Sequence, residues 1–98
     1  MAYSRRDAIT RARELHTQNA SQHQIRDTIR TEFPEISEKG LRAVVNTALY
    51  GSNTLIEAFI TDKIAVTEAI VLARIPDVHI QDLAVQGLVE LGPEDEES

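Results

Sequence analysis

Apolar residues along the chain recur at intervals of three and four, the period that gathers side chains on one face of an α-helix, and no segment sustains the alternation of a half-buried strand. The first run, Ala8, Ile9, Ala12 and Leu15, opens after Ser4, which makes a capping-box-like pair with Asp7, and is expected to end near Asn19. Ser21 with Gln24 opens a second helix that turns Ile25 and Ile29 inward and closes at Phe33 before Pro34. Ser37 caps a third, with Leu41, Val44, Val45 and Ala48 or Leu49 facing the core and Gly51 as its stop. Thr54 and Glu57 form a capping box for a short fourth helix through Leu55, Ala58 and Phe59, ahead of a turn at Asp62-Lys63.

A fifth segment, from about Thr67 to Ile75, is apolar almost all round (Ala69, Ile70, Val71, Leu72, Ala73), which predicts that it is the central helix, buried in this fold or against a partner. Asp77 then caps a sixth, containing Ile80, Leu83, Ala84, Leu88 and Leu91. The pattern therefore predicts an all-α fold, a compact bundle of five to six short helices containing a helix-turn-helix. One domain spans residues 1–92 with a C-terminal helical region for dimerisation or partner binding. Residues 93–98, Glu94-Asp95-Glu96-Glu97 among them, form an acidic tail with nothing to bury, expected to be disordered.

Composition narrows the class. The 98 residues suffice for one core without staples, and the absence of cysteine excludes disulfide scaffolds and thiolate zinc sites. The longest apolar stretches fall far short of the roughly 20 residues of a membrane span. Met1-Ala2-Tyr3-Ser4-Arg5 leads into no apolar signal region, so a cytoplasmic protein with no membrane partner is expected. Four aromatics, Tyr3, Phe33, Tyr50 and Phe59, are too few and scattered for a single-strand stacking platform.

The formal net charge of -6 hides a division. Residues 1–50 hold eight basic against six acidic side chains, a net +2, whereas residues 51–98 hold only Lys63 and Arg74 against ten acids, a net -8. The second and third helices, separated by Phe33 to Ile36, lie in the positive half and have the layout of a helix-turn-helix. With Leu41, Val44, Val45 and Ala48 inward, the other side of the third helix displays Glu38, Lys39, Arg42, Ala43, Asn46 and Tyr50. Arg42 suits a guanine edge and Asn46 an adenine, Ala43 or the Thr47 methyl suits a thymine methyl, and Lys39 lies near the helix start that enters the groove first. For the DNA backbone the candidates are Ser21, Gln22 and the free amides of the second helix, the capping Ser37, and Arg5, Arg6 and Arg26.

Other chemistries lack a frame. His16, His23 and His79 form no His-x-x-x-His pair, so no metal is expected. There is no nucleophile elbow, phosphate loop or framed carboxylate pair, so neither an enzyme nor a cofactor is expected. The apolar content of the acidic half suggests a dimer or partner face through Ile70, Leu83, Leu88 and Leu91.

The order of segments resembles the central helix-turn-helix domain of the ParB/KorB partition proteins. The pieces are Ala12-Arg13-Glu14-Leu15, Ser21-Gln22-His23-Gln24-Ile25, Ile36-Ser37-Glu38-Lys39-Gly40-Leu41-Arg42, Ile56-Glu57-Ala58-Phe59-Ile60, Lys63-Ile64-Ala65-Val66-Thr67-Glu68-Ala69 and Ile75-Pro76-Asp77-Val78-His79-Ile80-Gln81-Asp82-Leu83-Ala84. The resemblance implies that the third helix is the recognition helix and that Ser21, Gln22, Ser37, Lys39, Arg42 and Asn46 face DNA. The chain holds neither the family's nucleotide-binding domain nor its separate dimerisation domain, and Phe33-Pro34-Glu35 lengthens the turn by about two residues relative to the family's.

These readings converge on an expected function: a small sequence-specific double-stranded DNA-binding protein, a homodimer on a palindromic operator, acting as a transcriptional repressor or partition-type accessory factor of a plasmid, phage or mobile element. The competing expectation is an all-helical adaptor or inhibitor that binds a protein partner through its acidic half.

Overall fold

A computed structural model describes residues 3–91, in which six helices follow one another: α1 (Arg5–Thr17), α2 (Gln22–Glu32), α3 (Glu38–Tyr50), α4 (Asn53–Ile60), α5 (Val66–Ala73) and α6 (Val78–Leu91). The fold is all-α, with no strand among the described residues. The acidic tail expected at 93–98 lies outside the described residues.

Most helices start where a short polar side chain accepts a backbone N–H that the first turn leaves unpaired. Ser4 accepts from the Asp7 amide at 3.2 Å and Ser37 from the Gly40 amide at 3.0 Å. Ser21 and Gln24 exchange reciprocal bonds of 3.1 and 2.8 Å, a full capping box. Asp77 accepts from the His79 and Ile80 amides at the head of α6. The cap of α4 is Ser52, accepting from the Leu55 amide at 3.1 Å, so Thr54 is not the start expected from the pattern. α5 starts at Val66, where Ala65 offers no side-chain acceptor and the Glu68 carboxylate instead accepts the Ala65 amide at 2.8 Å.

Two helix exits turn on a residue other than glycine. Asn19 and Asp62 adopt φ of 67° and 62°, the left-handed conformation that turns the chain, and the next amides return to Leu15 O and Ala58 O. Gly51 stops α3 as expected, as its C-cap in extended backbone (φ -81°, ψ 145°). It is needed there for room, since a Cβ would stand 2.5 Å from the Thr47 carbonyl oxygen.

The central helix is α3, not α5. It packs on α1, α2, α4 and α5 and buries Gly40, Leu41, Ala43, Val44, Val45, Thr47 and Ala48. Around it close Ala8, Ile9 and Ala12 of α1, Ile25 and Ile29 of α2, and Leu55 and Phe59 of α4. α5 buries Ala69, Leu72 and Ala73 but leaves Val71 exposed, because a two-turn helix at the side of the bundle offers only one face to it.

The inward face of α6 is also not the expected one. Gln81 and Val85 are buried, with Ala84, Leu88 and Val89 partly so, while Ile80, Leu83 and Leu91 are 55%, 68% and 70% exposed. The helix is rotated so that a glutamine carboxamide meets backbone groups at the ends of its neighbours. Gln81 Nε2 donates to Leu72 O at 3.0 Å and Ile75 O at 3.2 Å, and Oε1 accepts from the Ser52 amide. Apolar periodicity could not select that face, because its most buried member is polar.

Candidate functional site

Burial of most of α3 leaves it a narrow solvent-facing strip. Lys39, Arg42, Asn46 and Tyr50 succeed one another at spacings of three and four, with Glu38 and Leu49 along one edge. Lys39, Arg42 and Tyr50 are exposed and Asn46 is half-buried. Among the described residues, none forms an ion pair or side-chain hydrogen bond with Lys39, Arg42 or Asn46.

α2 runs beside this strip, tied to α3 at both ends. The Tyr50 hydroxyl donates to Gln22 Oε1 at 3.5 Å, and Arg30 Nη2 pairs with Glu38 Oε2 at 2.8 Å. The second contact neutralises the one carboxylate on the strip, leaving Lys39 and Arg42 to set its charge. Arg26 lies one turn from both Gln22 and Arg30 on the same side of α2, half-buried. Ser21 Oγ is occupied as an acceptor by the Gln24 amide, but its hydroxyl proton and the first amides of α2 point out of the helix.

At the C-terminal end of the strip lies a groove of about 430 Å³ lined by Asn46, Tyr50, Ala73, Arg74, Ile75 and Pro76. Arg74 is the C-cap of α5, exposed, and forms no ion pair among the described residues. Sequence reasoning missed it, because its place beside α3 is a tertiary contact. Its one signal was to be a rare cation in a strongly acidic half.

Four expected contacts need correction. Ala43 and Thr47 are wholly buried, on the core side of α3, and cannot reach a base. The helix sinks so far into the bundle that only about a third of its circumference stays open. Arg5 is spent on packing: Nη1 donates to Phe59 O at 2.9 Å and Ile64 O at 3.0 Å, Nε meets Asp62 Oδ1 at 3.2 Å, and the guanidinium lies 4.4 Å from the Phe59 ring centroid. Arg6 lines a separate groove between α1 and α4 with Arg13, Asn53 and Glu57, whereas α2 meets α1 on its Arg11 side, through Glu32 at 3.0 Å.

Of the expected partner face, Ile70 and Leu88 are partly buried against the core, and Leu83 and Leu91 are exposed, joined by Ile80 and Val78. Among the described residues two titrating groups are shifted, one by burial and one by an ion-paired hydrogen bond. Burial pushes the Tyr3 phenol up where it meets Phe33 edge-on, and the hydrogen bond to Glu32 raises the Arg11 guanidinium. Among the described residues no three metal-ligating side chains gather, and no helix is long and apolar enough to cross a membrane.

Comparison with known protein families, with curated proteins and with solved structures returns no match to this chain.

Proposed function

We propose that the chain is a sequence-specific double-stranded DNA-binding protein that lays the α3 strip along the major groove. The observation carrying this reading is the uncompensated row Lys39, Arg42, Asn46 and Tyr50 at helical spacing on one narrow face. Such a row supplies a bidentate donor for guanine, an amide for adenine and a leading cation. Backbone contacts fall to the head of α2 (Ser21, Gln22), to Arg26 and to Arg74, with Ser37 at the head of α3. A transcriptional repressor or a partition-type accessory factor is the role that fits, the second in keeping with a segment order that resembles the ParB/KorB domain.

Four cations, Arg26, Lys39, Arg42 and Arg74, would meet phosphate or base edges, so log K is expected to fall with log salt at a slope of about -3.5 per protomer. Selection from a random duplex pool, followed by anisotropy titration of the winners at two salt concentrations, tests this. Binding that is insensitive to salt, or no enrichment of any sequence, overturns it. A protein-binding module acting through the acidic half is the second reading, favoured by the exposed apolar residues of α6. It predicts no duplex binding.

A further inference from the structure

We propose that α6 is the interface for a second copy of this chain, packed antiparallel about a two-fold axis near Val85. The inference stands on α6 itself and does not need the DNA reading.

Ile80, Leu83, Gly87 and Leu91 follow one another at spacings of three, four and four, forming a stripe on the outer face of α6, turned away from buried Gln81 and Val85. Three members are large apolar side chains more than half exposed. The fourth is a notch: among the described residues a Cβ built at Gly87 would meet nothing within 4 Å, so no contact among them asks for glycine there. Glycine in a helix interior lowers helix propensity, which leaves an external reason for it.

A two-fold axis near Val85 places each Leu83 over the Gly87 notch of the other copy and each Ile80 beside the other copy's Leu91. Bulk then meets gap twice over, the self-complementarity that an isologous interface requires. A parallel pair would set leucine on leucine and leave the two notches facing each other. Polar pairing selects the same arrangement. His79 and Glu90 lie three turns apart on one edge of the stripe, and the antiparallel two-fold brings that edge against itself, so each imidazole meets the other copy's Glu90 carboxylate. The other edge, Ala84 and Leu88, is apolar and continuous with the core.

One face of a 14-residue helix supplies less than the ~800 Å² per partner of a standard interface, so the dimer is weak and dissociates on dilution. Sedimentation equilibrium on the full chain without DNA, from about 10 μM to about 1 mM, covers the range such a sub-standard interface calls for. The mass is expected to rise from 10.9 kDa towards twice that value. Gly87→Leu fills the notch and is expected to weaken association at least tenfold while raising helicity, so loss of fold cannot explain the result. Leu83→Ala should weaken it as well, and the double variant Leu83→Ala/Gly87→Leu should restore it, because the two-fold pairs these positions with each other. A wild-type chain still monomeric at the top concentration, a dimer indifferent to Gly87→Leu, or a double variant without rescue overturns the proposal. A chain that stays monomeric in sedimentation yet binds duplex overturns this interface and leaves the DNA reading standing, whereas a dimer without duplex binding does the reverse.

Discussion

Gln81 holds the Ser52 amide at 2.5 Å, across 29 residues of chain, and so fixes the head of α4 to the flank of α6. The same carboxamide donates to Leu72 O and Ile75 O, and to Tyr50 O at 3.4 Å, while Ser52 Oγ donates to Asp82 Oδ1 at 2.6 Å. A fully buried amide stabilises here by satisfying the Ser52 amide and the Tyr50 and Ile75 carbonyls, and by adding a second donor to Leu72 O, which also accepts from the Ile75 amide at 3.1 Å. Replacing it with Gln81→Leu keeps the volume and strands those groups. A loss of about 3 kcal/mol in urea unfolding is expected, at the high end for a point change because several buried partners are left unpaired together.

Arg5 separates structural cations from binding ones. Arg5→Ala removes two bonds to backbone carbonyls and the stack on Phe59, and is expected to lower stability by about 2–3 kcal/mol. Arg5→Lys should recover only part of it: one ammonium can donate to both carbonyls, as Nη1 does, but it has no planar face to lay on Phe59 and no Nε to meet Asp62. Asp62→Asn should change stability by less than about 0.5 kcal/mol, because its carboxylate is exposed. Duplex affinity per folded molecule should be untouched in all three, which chemical denaturation and anisotropy read separately.

Thr47 carries the opposite lesson. Its hydroxyl is buried with no hydrogen-bond partner among the described residues, at a position with 0% exposure. Thr47→Val removes an unsatisfied polar atom at nearly constant shape and is expected to raise stability by about 1 kcal/mol. Ala43→Leu, at the other position expected to touch a thymine methyl, should instead cost about 1–3 kcal/mol by overpacking the α3 core. Thermal unfolding of both variants checks the sign of each.

The DNA reading divides Arg42 from Arg74. Arg42→Ala is expected to cost about 1–3 kcal/mol of binding and relax preference at one base position. Arg74→Ala, at the far end of the strip, should weaken all sequences alike and reduce the salt slope by about 1. Titration of each variant against the selected duplex and a scrambled one distinguishes the two patterns.

Much of the architecture was legible from local chemistry. The caps at Ser4, Ser21, Ser37 and Asp77, the break at Phe33-Pro34 and the inward sets of α1 to α3 depend on neighbours within a turn or two, so spacing and side-chain type reveal them. Lys39, Arg42 and Asn46 were legible for the same reason, since the strip is what remains when Leu41, Val44 and Val45 face inward.

Local sequence thus carries the number and type of helices, most of their starts, and the exposure of Lys39 and Arg42 on α3, but not the burial of Ala43 and Thr47 on the same helix. Only the tertiary structure decided how deep each helix lies and who stands beside whom. It sank α3 until Ala43 and Thr47 vanished, drew Arg5 inward, carried Arg74 to the end of the strip, and turned α6 so that Gln81 rather than Leu83 is buried. The physical reason is common to these cases: unpaired backbone groups at helix ends, and the space between helices, exist only once the helices have packed, and no periodicity along the chain encodes them.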